Sequence, residues 1–288
     1  MITLIDGLSL GSIYALIALG YTMVYGIAKM LNFAHGDIIM VGAYAILVAM
    51  TTTANPIVAV VASVIVCTLL GVFIEKAAYK PLRGASPLAV LITAIGVSYL
   101  LQSLAQLIFE SKSKPVPGWR FGDIPFLKAY GINTAAVVTL VAGAIIMVSL
   151  TVFINVTRTG RAMLAVSEDR DAAKLMGINV NRIITITFAI GSALAAFAGM
   201  FYLLQIPNAE PTLGAMPGIK AFTAAVIGGI GSIPGAMLGG ILLGVIEKFC
   251  LSIPALAPYT TALEFSLLIV ILLVRPTGIL GKKLREKV

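Results

Sequence analysis

From residue 6 to residue 274 the sequence is a succession of apolar segments separated by polar breaks, most of them near the length that crosses a bilayer. Such a segment needs about 20 residues to span the hydrocarbon core. Within lipid its backbone must satisfy its own hydrogen bonds. The candidate spans are 6–28, 38–50, 56–73, 87–109, 134–154 and 183–204, then two shorter pieces, 219–227 and 234–246, and a last span, 259–274. Of the 288 residues 59% are hydrophobic and 11% charged, against about 25% charged in a soluble domain, so a soluble fold could not hide this much apolar surface. The expected fold is an all-α polytopic membrane protein: one transmembrane domain over residues 1–288, with about eight to ten helices including broken and short ones, in two repeated halves.

Lys and Arg between the spans set its orientation. The 75–84 loop carries Lys76, Lys80 and Arg83, residues 155–182 carry five such residues, and the tail carries Arg275, Lys282, Lys283, Arg285 and Lys287. The alternate loops are poorer: four (Lys112, Lys114, Arg120, Lys128) spread over 110–133, and none in 205–218. The 155–182 island and the C-terminus are therefore expected in the cytoplasm, and nine crossings would put the N-terminus outside. No cleavable signal peptide is expected, since the first charge is Asp6 and no basic n-region precedes it. The 110–133 loop holds the one tryptophan, Trp119, and three prolines, so it is expected to be irregular or to lie along the surface.

The island NVTRTGRAMLAVSEDRDAAKLMGINVNR, residues 155–182, is the most polar stretch between two spans. Asp169 suits an N-cap, accepting from the free amides of a first turn. Glu168 and Asp171 suit the positive end of that helix's dipole, and Lys174 its last turn. Gly177 supplies a residue able to take the left-handed conformation after the helix. A capped helix of about two turns is expected over 169–176, too short to be stable alone because nucleation is costly. A protein partner is expected to hold it.

Two stretches read as breaks at membrane depth, LNFAHGD (31–37) and GGIGSIPGAMLGG (228–240). Paired interruptions in two halves point to a transport path at their interface. Asn32, His35 and Asp37 are the sharpest polar cluster beside a span. They either cap the next helix or line the route, ionisable groups at depth being rare and usually functional. Glu247 and Lys248 read as an outer helix end, where the lysine snorkels. Glu264 reads as a structural charge within the last span that needs a partner. Gly231, Gly235 and Gly239, like Gly191, Ala195 and Gly199, recur every four residues, a spacing that lets membrane helices approach closely.

Other chemistry is missing from the sequence. There is no GxxxxGK[ST] phosphate loop, HExxH or CxxC. His35 and Asp37 lack the third ligand or nucleophile of a metal or hydrolase site. Cys67 and Cys250 lie far apart in apolar segments and read as packing residues. The net charge of +8 sits between spans, without the interleaved aromatics of a nucleic-acid surface. Asn155-Val156-Thr157 fits the glycosylation pattern but falls on the side assigned to the cytoplasm. No catalytic residue, metal, cofactor or nucleic-acid partner is expected, and an enzyme is not the expected class.

At GLSLGSIYALIALGYTMVYGIAKMLNFAHGDIIMVGAY (7–44) and GRAMLAVSEDRDAAKLMGINVNRI (160–183) the chain resembles the LivH-type permeases of branched-chain amino acid ABC importers. AVIGGIGSIPGAMLGGILLG (225–244) and RPTGILG (275–281) match the same family. The resemblance implies a multi-pass permease of the bacterial inner membrane, paired with a LivM-type second permease. Two cytoplasmic ATPase subunits would consume the ATP, and a periplasmic binding protein would deliver the substrate. It also implies that Glu168, Asp169, Arg170, Asp171, Ala172, Ala173, Lys174 and Gly177 form the helix that couples to the ATPase. Related permeases carry other amino acids, urea or amides. The competing expectation is a channel or ion-coupled carrier working without ATPases, for which Asp37 and Glu264 are the available buried carboxylates.

Overall fold

The structure, a computed structural model, describes residues 2–281 except 121 and 123. The lysines and arginine at 282, 283, 285 and 287, four of the five basic residues counted in the tail, lie outside the described residues. Helix α1 (Ile2–Ala28) is the axis of the bundle, with every residue from Ser9 to Val24 buried. It can be enclosed so closely because it lacks side chains of its own where a neighbouring helix crosses it. A Cβ at Gly11 would lie 2.7 Å from Ile241 Cα, and one at Gly7 would lie 2.9 Å from Val245 Cα. The helices meet backbone to backbone, as small residues permit in membrane proteins.

After α1 the chain turns at 29–34, with Lys29 at φ 50, and re-enters as α2 (His35–Thr53). The first turn of α2 lies beside Gly20, where a Cβ would collide with the His35 ring. Helix α2 thus begins about 12 Å back along α1 from its end, at 1.5 Å per residue. Asn55 caps α3 (Pro56–Ile74), accepting from Ile57 N at 2.9 Å. The basic 75–84 segment is not an open loop: a π-helical turn (Glu75–Tyr79) and a 3-10 turn (Lys80–Leu82) continue α3 without interruption. Ser86 and Pro87 start α4 (Pro87–Phe109), whose bounds match the expected span.

The 110–133 loop contains β1 (Lys114–Pro115) and α5 (Pro125–Ala129), and Trp119 buries its ring and donates Nε1 to Met200 O at 3.3 Å. Next come α6 (Thr134–Val156), α7 (Arg158–Glu168), α8 (Arg170–Leu175) and α9 (Val180–Gln205). Strand β2 (Asn208–Ala209) pairs antiparallel with β1, tying the 206–214 connector to the 110–133 loop. The connector then runs inward to Gly214, whose backbone abuts Gly36, and α10 (Ala215–Gly228) starts there. Helices α11 (Ile233–Ser252) and α12 (Thr260–Val274) complete the chain.

Among the described residues, eight helical segments are long and apolar enough to cross a membrane, and α10 is a shorter ninth. The expected breaks need one correction. The second helix to begin inside the bundle is α10, after the 206–214 connector, where Gly36 of α2 lies against Gly214 and Gly218. The glycine-rich stretch holds only a tight turn at 229–232, with Gly229 and Gly231 at positive φ, and α11 is a full span rather than a short piece. Outward faces of α3, α4, α6 and α12 are mostly Leu, Ile and Val, as suits lipid contact.

Candidate functional site

At the end of the bundle where α1 stops, α7 and α8 stand out from the spans. Helix α7 is amphipathic and buries Gly160, Met163 and Val166 along one face. Asp169 caps α8, its Oδ1 accepting from the amides of Asp171 and Ala172, each at 3.0 Å. Gly177 closes the helix at φ +81. Glu168 is placed differently from expectation. It ends α7, so its carboxylate belongs to the preceding helix's C-terminus, and Lys29 is a charge within its influence.

Helix α8 is fixed to the bundle by Ala173, which is buried, and by Arg170, whose Nη2 donates to Ile27 O at 3.0 Å. That bond satisfies one of the carbonyls left free at the end of α1. Burial first, then the nearby Arg83 charge, hold the Arg170 guanidinium below its ordinary pKa, with Asp171 acting the other way. Lys174 and Asp171 form an exposed i,i+3 pair at 3.0 Å. Leu175 and Met176 are 90% and 82% exposed, an apolar tip that no residue of this chain covers among those described. Sequence reading selected the polar residues of this helix and passed over its two most exposed apolar ones.

The polar cluster at the start of α2 is enclosed. Asn32, His35 and Asp37 are all buried. Asn32 Oδ1 accepts from Tyr79 Oη at 2.8 Å, and Asp37 Oδ1 accepts from Gln102 Nε2 at 2.9 Å. The His35 ring sits edge-on to Tyr21 at 4.9 Å. Asn32 also lines a narrow cleft with Tyr21, Tyr25, Leu31 and Phe222, between α1 and α10. Tyr79 stands on the π-helical turn, whose Glu75 is fully buried and accepts from Arg83 and from Thr185 Oγ1 (2.8 Å). Arg83 donates also to Asn181, so the turn is braced against the start of α9. A continuous set of contacts thus joins the base of α8 and α9 to the α2 entry. Tyr79→Phe should leave the buried Asn32 oxygen without its donor, costing about 1–3 kcal/mol. A lower thermal midpoint of the purified chain in detergent would register it.

Of the six small residues, Gly191 faces Val24 and Gly20 of α1, Gly199 lies against Ile39 of α2, and Ala195 between them is fully buried. Gly235 abuts Gly228, and Gly239 abuts Ala224 of α10. Gly231 does not belong to a packing stripe: it lies in the turn at φ +92, and a Cβ there would meet nothing within 4 Å.

Glu247 is a second correction. It is not at an outer helix end in solvent but is buried, accepting from Tyr14 Oη at 2.7 Å and pairing with Lys220 Nζ at 2.7 Å. Glu264 finds its partner in the same lysine, at 3.2 Å. Lys220 had gone unnoticed, since one lysine in a short apolar piece carries no pattern.

A family model described as the branched-chain amino acid transport system / permease component matches residues 3–273. The chain is 46% identical to the high-affinity branched-chain amino acid transport system permease protein BraD of Pseudomonas aeruginosa, over 99% of this chain and 97% of that one. It is 43% identical to the corresponding permease protein LivH of Escherichia coli, over 98% and 96%. Among solved structures, PsaBC from Streptococcus pneumoniae in complex with Fab aligns with a TM-score of 0.51 at 15% identity, covering 94% of this chain and 91% of that chain. That likeness is one of fold.

Proposed function

The chain belongs to the branched-chain amino acid transport system permease family, and from that premise we propose that it carries branched-chain, neutral amino acids as one of two permeases in an ABC importer. The second is a LivM-type permease, and the path runs where the two meet. Asn32, beside the cleft at the α2 entry, is the described residue best placed to line it, with His35 and Asp37 behind. Two ATPase subunits consume ATP on the cytoplasmic side, and Lys76, Lys80, Arg83, Arg158, Arg161, Arg170, Lys174, Arg182 and Arg275 support an orientation in which the α7–α8 end and the C-terminus face it. A periplasmic protein supplies the substrate at the opposite end. This chain itself binds no nucleotide.

The observation that carries the reading is α8: a capped, apolar-tipped helix projecting from an otherwise membrane-bound chain, held at its base and free at its tip. Closure of the ATPases around their nucleotides would move α8, and Arg170 would pass that movement to the end of α1. Proteoliposomes holding the full set of subunits should take up radiolabelled leucine only with ATP inside the cell-facing compartment and binding protein outside. The permease pair without ATPases should move none. Leucine flux through the pair alone, down a gradient, would overturn the reading.

A further inference from the structure

Four polar side chains from four helices meet inside the bundle: Tyr14 of α1, Lys220 of α10, Glu247 of α11 and Glu264 of α12. All are buried, Glu264 to 1% exposure. One ammonium faces two carboxylates. With all three ionised the cluster would carry an unpaired negative charge within the spans, a state that is costly wherever water is excluded. The next titratable groups, Tyr202 of α9 and Glu210 of the connector, bring no further cation.

The two carboxylates are not equivalent. Glu247 has both oxygens engaged by strong donors, Oε1 by Lys220 at 2.7 Å and Oε2 by the Tyr14 hydroxyl at 2.7 Å. The lysine contact is shorter than an ordinary N–H···O bond between neutral groups, as expected for an ionised pair. Glu264 places its two oxygens at 3.3 and 3.2 Å from the same ammonium, both longer than the Lys220–Glu247 contact. We propose that this cluster is a proton-binding site, holding one proton between its two carboxyls with Glu264 carrying it. The occupied cluster is then neutral overall: Lys220 and Glu247 are the ion pair, and Glu264 is the acid.

The site has a structural consequence for α12. Thr260 and Glu264 are the fully buried residues of that helix, with Leu267, Leu268 and Ile271 packed half-buried against the core, so the protonated side chain is its deepest contact with the bundle. Loss of the proton would set an unpaired charge at that contact. This inference stands apart from the identity of the transported amino acid.

Infrared spectroscopy of the assembled transporter in lipid nanodiscs tests it. The C=O absorption of one buried, protonated carboxyl should disappear in E264Q. It should disappear also in E247Q, where one ammonium then faces the one remaining carboxylate and no proton is required. Absorption unchanged in E264Q overturns the assignment, and a band that survives in E247Q overturns the charge-balance basis for it. An E264Q chain that fails to assemble is equally contrary, because glutamine is the neutral isostere of the protonated acid.

Discussion

Leucine in place of Gly244 should leave the chain unable to form its bundle, whereas leucine in place of Gly96 should pass without effect. Both glycines lie within apolar helices, though Gly244 follows Gly240 at the four-residue spacing that favours close packing and Gly96 has no such partner. A Cβ at Gly96 would meet nothing within 4 Å, whereas one at Gly244 would collide with the Gly11 backbone and come to 2.9 Å from Gly7 O. Those atoms belong to the axis helix and cannot rotate aside. Overpacking that a side chain can absorb costs about 1–3 kcal/mol. Here α1 and α11 must part instead, and the Tyr14–Glu247 bond between them goes too, worth about 1.5–3 kcal/mol for a charged acceptor. Together these approach the lower end of an ordinary domain's stability, about 5–15 kcal/mol. The monodisperse fraction in mild detergent should collapse for G244L and remain at the parent level for G96L. Equal behaviour of the two variants would mean that the α1–α11 contact does not hold the fold together.

The contrast explains what could be read in advance. Local signals were legible: the expected spans 56–73 and 87–109 fall within a residue of α3 and α4, and Asp169 and Gly177 bracket α8. Each depends on residues near one another in the chain. The depth at which a helix begins does not. Whether α2 starts at the end of α1 or partway back along it is decided by Gly20 leaving room for His35. Helix α10 likewise starts inside the bundle because Gly36 and Gly214 can touch, though 178 positions separate them. The glycine-rich 228–240 stretch offered a louder sequence signal for a break and turned out to be a turn followed by a complete span.

The same limit applies to the charges. Glu247 and Glu264 were each visible as lone acids beside or within a span, and the rule that such groups need a partner was correct. Their shared partner, Lys220, lies 44 residues from Glu264, and the Tyr14 hydroxyl lies 233 residues from Glu247. No periodicity connects positions so far apart. The polar residues of α8 were selected because charge and capping stand out in an apolar chain. Leu175 and Met176 were passed over for the converse reason: two apolar residues look ordinary until the fold shows them facing outward.

Those two residues carry the other large effect. Leu175→Asp with Met176→Asp should detach the ATPase subunits while leaving the permease folded. Both side chains are almost wholly exposed, so the bundle loses no packing when they change. Each is worth about 1.5–3 kcal/mol when fully buried in a partner's apolar groove. Loss of both therefore weakens the complex by roughly a hundredfold or more, each 1.4 kcal/mol being about tenfold in affinity. Burying the new carboxylates would cost still more. The Asp171–Lys174 pair offers the comparison, because it is exposed on the same helix and such pairs contribute about 0–1 kcal/mol. Exchanging those two charges should reduce ATPase binding far less than changing the apolar tip. Copurification of the ATPase with tagged permease, alongside leucine-dependent ATP hydrolysis, measures both variants. If the charge exchange releases the ATPase and the double aspartate variant retains it, docking runs through the charged face of α8 instead, and its apolar tip serves some other contact.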